Sequence, residues 1–352
     1  MSTSVDRVRE VIERSGATQG DFAVRIGLDA AKMSKSLSGA RRFSSFDLAR
    51  IAEAGQVTVD WLLTGYEPPL AIAARAASGA KTQQALVCAQ RLAELRDSAV
   101  RLGYGRPVVP VEVRPSGSWK RDGEALADGA RVRCAAAGVD VAADLPGAIE
   151  QVFGIDVAII ALGDKFDGLA ARASEGAFIL AASTANFARQ RFTIAHELGH
   201  LLWGDDQHLH VDVDIDAAPS KTGESEIRAN SFAAAFLMPR DEVRELVAAG
   251  FTEATFDRLV LHFRVSPAAM ANRLEQLNLV NPLALPGLRA TSYASVLARS
   301  GQAGVGALHT DGALRERPPQ LLSRDLLDAY LVGKTTLRLY AAALGVDVEQ
   351  VR

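Results

Sequence analysis

Cysteine is scarce in this chain of 352 residues, since its only two cysteines, Cys88 and Cys134, are 46 positions apart and neither belongs to a C-x-x-C pair. This spacing excludes a disulfide-stabilised scaffold and a thiolate zinc cluster, and it fits a reducing compartment. Long apolar runs are also missing, because no stretch approaches the roughly 18 residues of a membrane span. The charged start MSTSVDRVRE lacks the apolar segment of a secretory signal. We therefore expect a cytoplasmic protein without membrane contact.

A strong charge of one sign is absent as well. The formal net charge is −3, so no basic field over the whole molecule indicates nucleic-acid binding, and any DNA contact must be local. Hydrophobic residues make up 48% of the chain, which is enough for two or three domains of ordinary size.

The pattern of apolar residues and helix breakers divides the chain into five regions. Residues 1–66 have the helical spacing of a bundle of four or five short helices, and residues 67–117 combine an alanine-rich helical spacer with a linker that contains glycine and proline. Residues 118–240 hold several helices and two predicted strands, at 155–162 and 177–182. Residues 241–281 have the spacing of a second helix-turn-helix, and residues 282–352 are mostly helical. The predicted fold class is mostly α, with a small α+β domain at 118–240 and an all-α N-terminal bundle.

The most informative motif is H-E-x-x-H at residues 196–200, inside a predicted helix. His196 and His200 lie at positions i and i+4 on one helical face, so both imidazoles can reach one metal ion, with Glu197 beside them. A zinc ion lowers the pKa of a bound water towards about 7, and a nearby carboxylate can take its proton and pass it to a leaving amine. Two unrelated surface histidines are the alternative, which the apolar flanks of the helix disfavour. The motif predicts a zinc metallopeptidase with Glu197 as its base.

A catalytic zinc site needs a third protein ligand. The pattern with a third histidine six residues after the second is excluded, because Asp206 occupies that position. The remaining class, the gluzincin type, takes a glutamate from a following helix, where Glu224 and Glu226 are both available. We choose Glu226 because it shares a helical face with core positions and has Asn230 one turn later, as a partner for a ligand. The acidic segment 205–216, which holds two more histidines, is predicted to be a solvated loop.

The block RQRFTIAHELGHLL followed by EIRANSFAAAFLMP resembles the ImmA/IrrE family of zinc metallopeptidases, and the resemblance covers roughly residues 118–279. It implies that His196, His200 and Glu226 bind one Zn²⁺ per chain and that Glu197 is the catalytic base, in a zincin-like domain. Members of this family cut helix-turn-helix repressors in stress, DNA-damage or mobile-element responses, which releases silenced genes. In such folds the strand at 177–182 would bind an extended peptide by β-augmentation. The oxyanion-stabilising residue is not identified.

Residues 18–41, TQGDFAVRIGLDAAKMSKSLSGAR, resemble the helix-turn-helix of the Xre/Cro/cI type. Four basic and no acidic residues lie between positions 30 and 42, which gives this segment a basic edge. The predicted DNA contacts are Gln19, Lys32, Ser34, Lys35, Arg41 and Arg42. Folds of this type also serve as protein-interaction or dimerisation modules, so a homodimer is a further expectation.

Together these motifs predict a zinc-dependent endopeptidase and transcriptional regulator. Its expected partners are a helix-turn-helix repressor as substrate and DNA at the N-terminal domain. Two alternatives from other classes stay open. One is a non-enzymatic DNA-binding transcription factor that uses the zinc domain as a sensor or docking surface, and the other is an antitoxin-like regulator.

Overall fold

The computed structural model describes residues 3–55, 57, 59–65, 80–162, 166–173, 176–205, 209–212 and 223–352. Within these ranges the chain is mostly helical and has one four-stranded sheet, as the predicted fold class requires. It forms two compact units, Met1–Gln90 and Arg91–Arg352. No described helix is long and apolar enough to cross a bilayer. The first part of the predicted spacer, residues 67–79, lies outside the described residues, and the predicted domain boundaries stay predictions.

Short helices build the first unit: α1 (Ser4–Arg14), α2 (Gln19–Arg25), α3 (Ala30–Leu37), α4 (Ser45–Gly55) and α5 (Val59–Thr64). Side chains of Thr18 and Asp29 accept hydrogen bonds from the first turns of α2 and α3, which fixes where these helices begin. The apolar faces meet in a core around Phe22, Met33 and Ile51, all fully buried. The predicted all-α bundle is therefore present, while its helix-turn-helix type stays a prediction.

Helix α6 (Ala80–Arg101) crosses the division between the two units. The second unit then contains α7 (Trp119–Ala136), α8 (Leu145–Phe153), α9 (Phe187–Trp203), α10 (Glu224–Leu237), α11 (Arg240–Val247), α12 (Glu253–Phe263), α13 (Pro267–Gln276), α14 (Leu285–Ala290), α15 (Tyr293–Arg299), α16 (Ala303–Leu314), α17 (Gln320–Leu331) and α18 (Leu337–Leu344). Two short 3₁₀ turns lie at Pro282–Ala284 and Val348–Gln350.

The sheet has the strand order β1-β3-β2-β4. Strand β1 (Asp156–Ile160) runs parallel to β3 (Gly176–Ala182), and β2 (Gly168–Ala173) is antiparallel to both β3 and β4 (Leu209–Asp212). The two predicted strands are present as β1 and β3. Residues 209–212 form a strand where a loop was predicted, and residues 206–208 and 213–216 of that predicted loop lie outside the described residues.

Strand β3 is an inner strand, paired with β1 on one side and with β2 on the other. Its backbone groups are already used, so the expectation that residues 177–182 take up an extended peptide by β-augmentation is wrong. The outer side of β1 is covered at Ile159, which exchanges two backbone hydrogen bonds of 2.8 and 2.9 Å with Arg317. Among the described strands, β4 is therefore the one whose outer edge pairs with no described residue.

One continuous apolar core extends through the second unit from Val111 to Val296, and it includes side chains of α9 to α13. Helices α9 and α10 approach each other closely at Gly199, because a β-carbon added there would lie 3.0 Å from Phe232 Cδ1. Gly123 on α7 allows a similar approach to α10, since its added β-carbon would lie 2.3 Å from the carbonyl oxygen of Arg228. These contacts fix the position of α10 beside the H-E-x-x-H helix.

Candidate metal centre

Helix α9 carries the H-E-x-x-H motif on a face turned into the protein. His196 is 1% exposed, Glu197 is 0% exposed and His200 is 4% exposed. The helix begins at an Asn186 cap and ends at Gly204, whose φ of 76° lets the chain leave in the left-handed conformation. Polar side chains this deeply buried need partners that compensate for the lost water.

The predicted third ligand, Glu226 on α10, meets the two histidines. The Nε2 atoms of His196 and His200 are 3.0 Å apart, and the Glu226 carboxylate oxygens lie 3.3 Å from the first and 3.4 Å from the second. Zinc bonds of about 2.1 Å at tetrahedral angles place neighbouring ligand atoms about 3.4 Å apart. Both the donor set and its spacing therefore fit one zinc ion. Glu224, the other candidate ligand, is exposed and is not part of the cluster.

The second nitrogen of each histidine has a partner of its own. His196 Nδ1 lies 3.0 Å from Asn230 Oδ1, and His200 Nδ1 lies 2.7 Å from Asp205 Oδ2. A proton on each Nδ1 is donated to these oxygens, which leaves the lone pair of each Nε2 directed at the shared point. Sequence reasoning proposed Asn230 as such a partner but missed Asp205, which it assigned to a solvated acidic loop.

Asp205 is itself held by Arg228, whose guanidinium contacts the other carboxylate oxygen. Arg228 is 4% exposed, and its guanidinium lies 4.3 Å from the ring centre of Trp203 and 5.5 Å from that of Trp119. The stacked arginine thus orients Asp205, and Asp205 orients His200. Arg228 follows Glu226 by two positions. Helix α10 therefore supplies one ligand candidate, Glu226, and also the arginine that holds the partner of another, His200.

Strand β2 packs directly against the base candidate. A β-carbon added to Gly168 would lie 2.4 Å from Thr193 Cγ2 and 3.6 Å from Glu197 Cγ. Only glycine leaves room for α9 at this distance from the sheet. Sequence reasoning did not find Gly168, because it did not find the strand that contains it.

The predicted DNA contacts all lie in the first unit. The exposed ones are Gln19, Lys32, Ser34, Lys35 and Arg42. Arg41 is half-buried and donates hydrogen bonds to Ser36 Oγ at 3.0 Å and to Asp47 Oδ2 at 2.7 Å. Burial opposes ionisation of Asp47, but hydrogen bonds from Ser44 and Arg41 hold its pKa below the ordinary value. The Arg41 guanidinium is thus committed to an ion pair within its own unit.

Residues 150–275 match the model of the Peptidase M78 family, described as the IrrE N-terminal-like domain. The matched segment contains the three ligand candidates and Glu197, and the match supports both the ImmA/IrrE resemblance and a metallopeptidase-type function. It does not extend to the first compact unit. No curated protein matches the chain.

Proposed function

Starting from a metallopeptidase-type domain at residues 150–275, we propose that the chain is a zinc-dependent endopeptidase of the gluzincin type. Its substrate is a helix-turn-helix repressor, whose cleavage releases silenced genes in a stress, DNA-damage or mobile-element response. The observation that carries the proposal is the convergence of His196, His200 and Glu226 beside the fully buried Glu197.

Each residue of the site has a distinct role in this proposal. His196, His200 and Glu226 would hold the ion, which supplies Lewis-acid activation of the scissile carbonyl and of the attacking water when it is bound. Glu197 takes the proton of the attacking water and delivers it to the leaving amine. Asn230 and Asp205 hold the two imidazole rings in one orientation, 3.0 and 2.7 Å from the respective Nδ1 atoms. The close packing of strand β2 against helix α9 at Gly168 restricts the movement of the Glu197 side chain.

The first unit is proposed to bind DNA in the cytoplasm. Lys32, Ser34 and Lys35 are exposed on α3, and Arg42 follows on the same basic segment. Contacts of these residues to phosphates and base edges would hold the enzyme near an operator-bound repressor, which raises the effective concentration of its substrate. A homodimer formed through this unit is a further proposal.

The peptidase proposal is tested by replacing Glu197 with Gln. We expect the variant to retain about one zinc per chain and to lose cleavage by several orders of magnitude, because the ligands are intact while the base is removed. Elemental analysis measures the metal, and gel electrophoresis measures cleavage of a purified helix-turn-helix repressor. The matched control is Glu224→Gln, which makes the same change at an exposed glutamate on α10 that is not part of the ligand cluster.

Two results would contradict the proposal. Proteolysis retained by the Glu197→Gln variant would show that the base lies elsewhere. Zinc binding by the wild type without cleavage of any repressor would favour the non-enzymatic regulator that uses its zinc domain as a sensor.

A further inference from the structure

A cleft of about 380 Å³ lies next to the candidate metal centre, between α9, α10 and α13. Two of its lining residues connect it to a ligand candidate. Asn230 accepts the hydrogen bond from His196 Nδ1, and the ring of Phe192 has its centre 6.4 Å from that of His196. Through these two residues the cleft adjoins the candidate metal centre on the side of His196.

Eight of the fourteen described residues that line the cleft are apolar. They include Phe192, Ala234, Leu237, Met238, Val265 and Ala269. Burial of an aliphatic side chain against these residues is favourable, because it removes apolar surface from water. Among the described residues that line the cleft, Arg189 is the only charged one, and its Nε and an Nη bind the two oxygens of Asp167 at 2.8 and 2.7 Å. A basic side chain that entered would lose its water beside a guanidinium, and an acidic one would have to compete with Asp167 for that guanidinium.

Asparagine side chains supply hydrogen-bond donors at the rim of the cleft. Asn186, Asn230 and Asn272 each use their carbonyl oxygen within the protein, as acceptors from Arg189 N at 3.1 Å, His196 Nδ1 at 3.0 Å and Arg289 Nε at 2.8 Å. In the part of the chain that the structure describes, no hydrogen-bond partner is assigned to their NH₂ groups. Carbonyl oxygens of an extended peptide are suitable acceptors for such donors.

We propose that this cleft is the specificity pocket of the peptidase, and that it takes the uncharged, apolar side chain of the substrate residue next to the scissile bond. The asparagine amides bind the peptide carbonyls on either side. This inference rests on the proposed peptidase function and adds the substrate class to it. It also gives α13, which lies after both sequence motifs, a part in selecting the substrate.

The test introduces a carboxylate into the wall of the cleft. Ala268 is exposed, lines the cleft and occupies the second position of α13, after the Ser266 cap. A glutamate there is compatible with the helix dipole, so Ala268→Glu leaves the helix intact. The matched control is Ala254→Glu, at the second position of α12 after the Thr252 cap, on an exposed surface that does not line this cleft.

The probes are three dipeptide hydroxamates that differ in one side chain, which is isobutyl, carboxymethyl or aminobutyl. Calorimetry measures their dissociation constants with the zinc-loaded, full-length chain. We expect the wild type and Ala254→Glu to bind the isobutyl probe at least about tenfold more tightly than either charged probe. In Ala268→Glu, we expect the aminobutyl probe to gain at least about tenfold and the isobutyl probe to lose affinity.

The outcomes separate the two proposals. Equal affinity of the wild type for the three probes, weak binding of all three to the zinc-loaded chain, or identical behaviour of the two variants would overturn the pocket and leave the peptidase proposal in place. The wild-type comparison requires no variant, so it tests the pocket even if a variant folds poorly. A chain that takes up no zinc would overturn the peptidase proposal and, with it, the pocket.

Discussion

At the scale of single residues, the candidate metal centre depends on the hydrogen bond that each histidine makes through its Nδ1 atom. Asp205 accepts from His200 at 2.7 Å and is itself held by Arg228. Loss of this acceptor removes the contact that selects the tautomer and the ring orientation of His200. We therefore expect Asp205 to affect metal binding without being a ligand.

We predict that Asp205→Ala lowers zinc affinity by about 10- to 100-fold while the chain stays folded. A competition titration against a chromophoric chelator measures the affinity, and circular dichroism monitors the fold. Asp241→Ala, which removes an exposed aspartate from the first turn of α11, is the control and should bind zinc like the wild type. Equal affinities of the two variants would show that Asp205 has no role in orienting His200.

Part of this site could be predicted from the sequence and part could not. His196, Glu197, His200 and Glu226 are constrained by chemistry, since a metal accepts few residue types and a helix face fixes their spacing. Asp205 and Gly168 are constrained by their positions in the fold, since Asp205 must reach His200 Nδ1 and Gly168 must leave room for α9. Asp205 also stands in an acidic run that resembles a solvated surface segment.

At the scale of secondary-structure elements, strand β2 and helix α9 are in close contact beside Glu197. A methyl group at Gly168 would meet Thr193 Cγ2 at 2.4 Å and a backbone carbonyl of β3 at 3.2 Å, so either the helix or the strand must shift. Overpacking of this kind typically costs 1–3 kcal/mol of folding free energy.

We predict that Gly168→Ala lowers the free energy of unfolding by about 1–3 kcal/mol and also reduces the activity of the chain, because the shift displaces Glu197. Urea denaturation measures the first effect and repressor cleavage the second. The matched control is Gly287→Ala on α14, where nothing lies within 4 Å of the added carbon. This control should leave stability unchanged or raise it by up to about 1 kcal/mol, since alanine favours a helix. Equal stability of the two variants would exclude the close contact.

Three elements meet at a buried ion network around β1. Arg96 on α6 donates to both oxygens of Asp156 at 2.6 and 2.7 Å and to Asp325 on α17 at 2.7 Å. Burial raises the pKa of Asp156 from 3.8 to about 6, despite the opposing effect of Arg96, and the nearby Glu150 and Asp325 add to the rise. Between these two pH values the folded chain binds a proton on Asp156 that the unfolded chain does not bind. Stability from this group therefore increases as the pH falls through that window.

We predict that the difference in free energy of unfolding between the wild type and Asp156→Asn grows in favour of the wild type as the pH falls from about 6 to about 4. Urea denaturation of both proteins at several pH values measures this difference. Asp241→Asn, in which the exposed aspartate is changed, should show no such trend over the same range. A difference that stays constant or shrinks as the pH falls would contradict the raised pKa.

The sheet shows which strands the local sequence pattern can predict and which it cannot. Strands β1 and β3 were predicted, because each is a compact apolar run. Strand β2, GLAARA, is rich in alanine and has no β-branched residue, and β4 stands among acidic residues, so neither carries a strand signal. Strand order depends on contacts between residues that are far apart in the sequence. The sequence pattern therefore did not show that the strand at 177–182, to which peptide binding was assigned, is an inner strand.

At the scale of the whole molecule, the proposed DNA-binding role of the first unit depends on lysine and arginine side chains that are free to meet phosphates. We predict that Ala substitutions at Lys32, Lys35 and Arg42 in the full chain each weaken binding to its own promoter. Each should also lower the slope of log affinity against log salt by about 1, because one phosphate contact and its released counterion are lost. Fluorescence anisotropy at several salt concentrations measures both quantities.

Variants of two further arginines, Arg41 and Arg244, are the comparisons for the three substitutions above. Arg41→Ala should reduce stability rather than the salt slope, because Arg41 pairs with the buried Asp47. Arg244→Ala, an exposed change on α11, should alter neither. Salt slopes that match the wild type in all three lysine and arginine variants would assign the first unit to protein interaction or dimerisation.

The hydrogen bonds between Ile159 and Arg317 also restrict how copies of this chain can assemble. A sheet with two open edges can join copies edge to edge without limit, and the product is a fibre. Here Arg317 occupies the β1 edge, and its side chain is held by Glu150 at 2.6 Å and by the Val157 carbonyl at 2.6 Å. Among the described strands, only β4 has an outer edge that no described residue pairs with. If copies join through this sheet, we expect them to join at β4 and to stop at a symmetric pair, because no second open edge is left among the described strands.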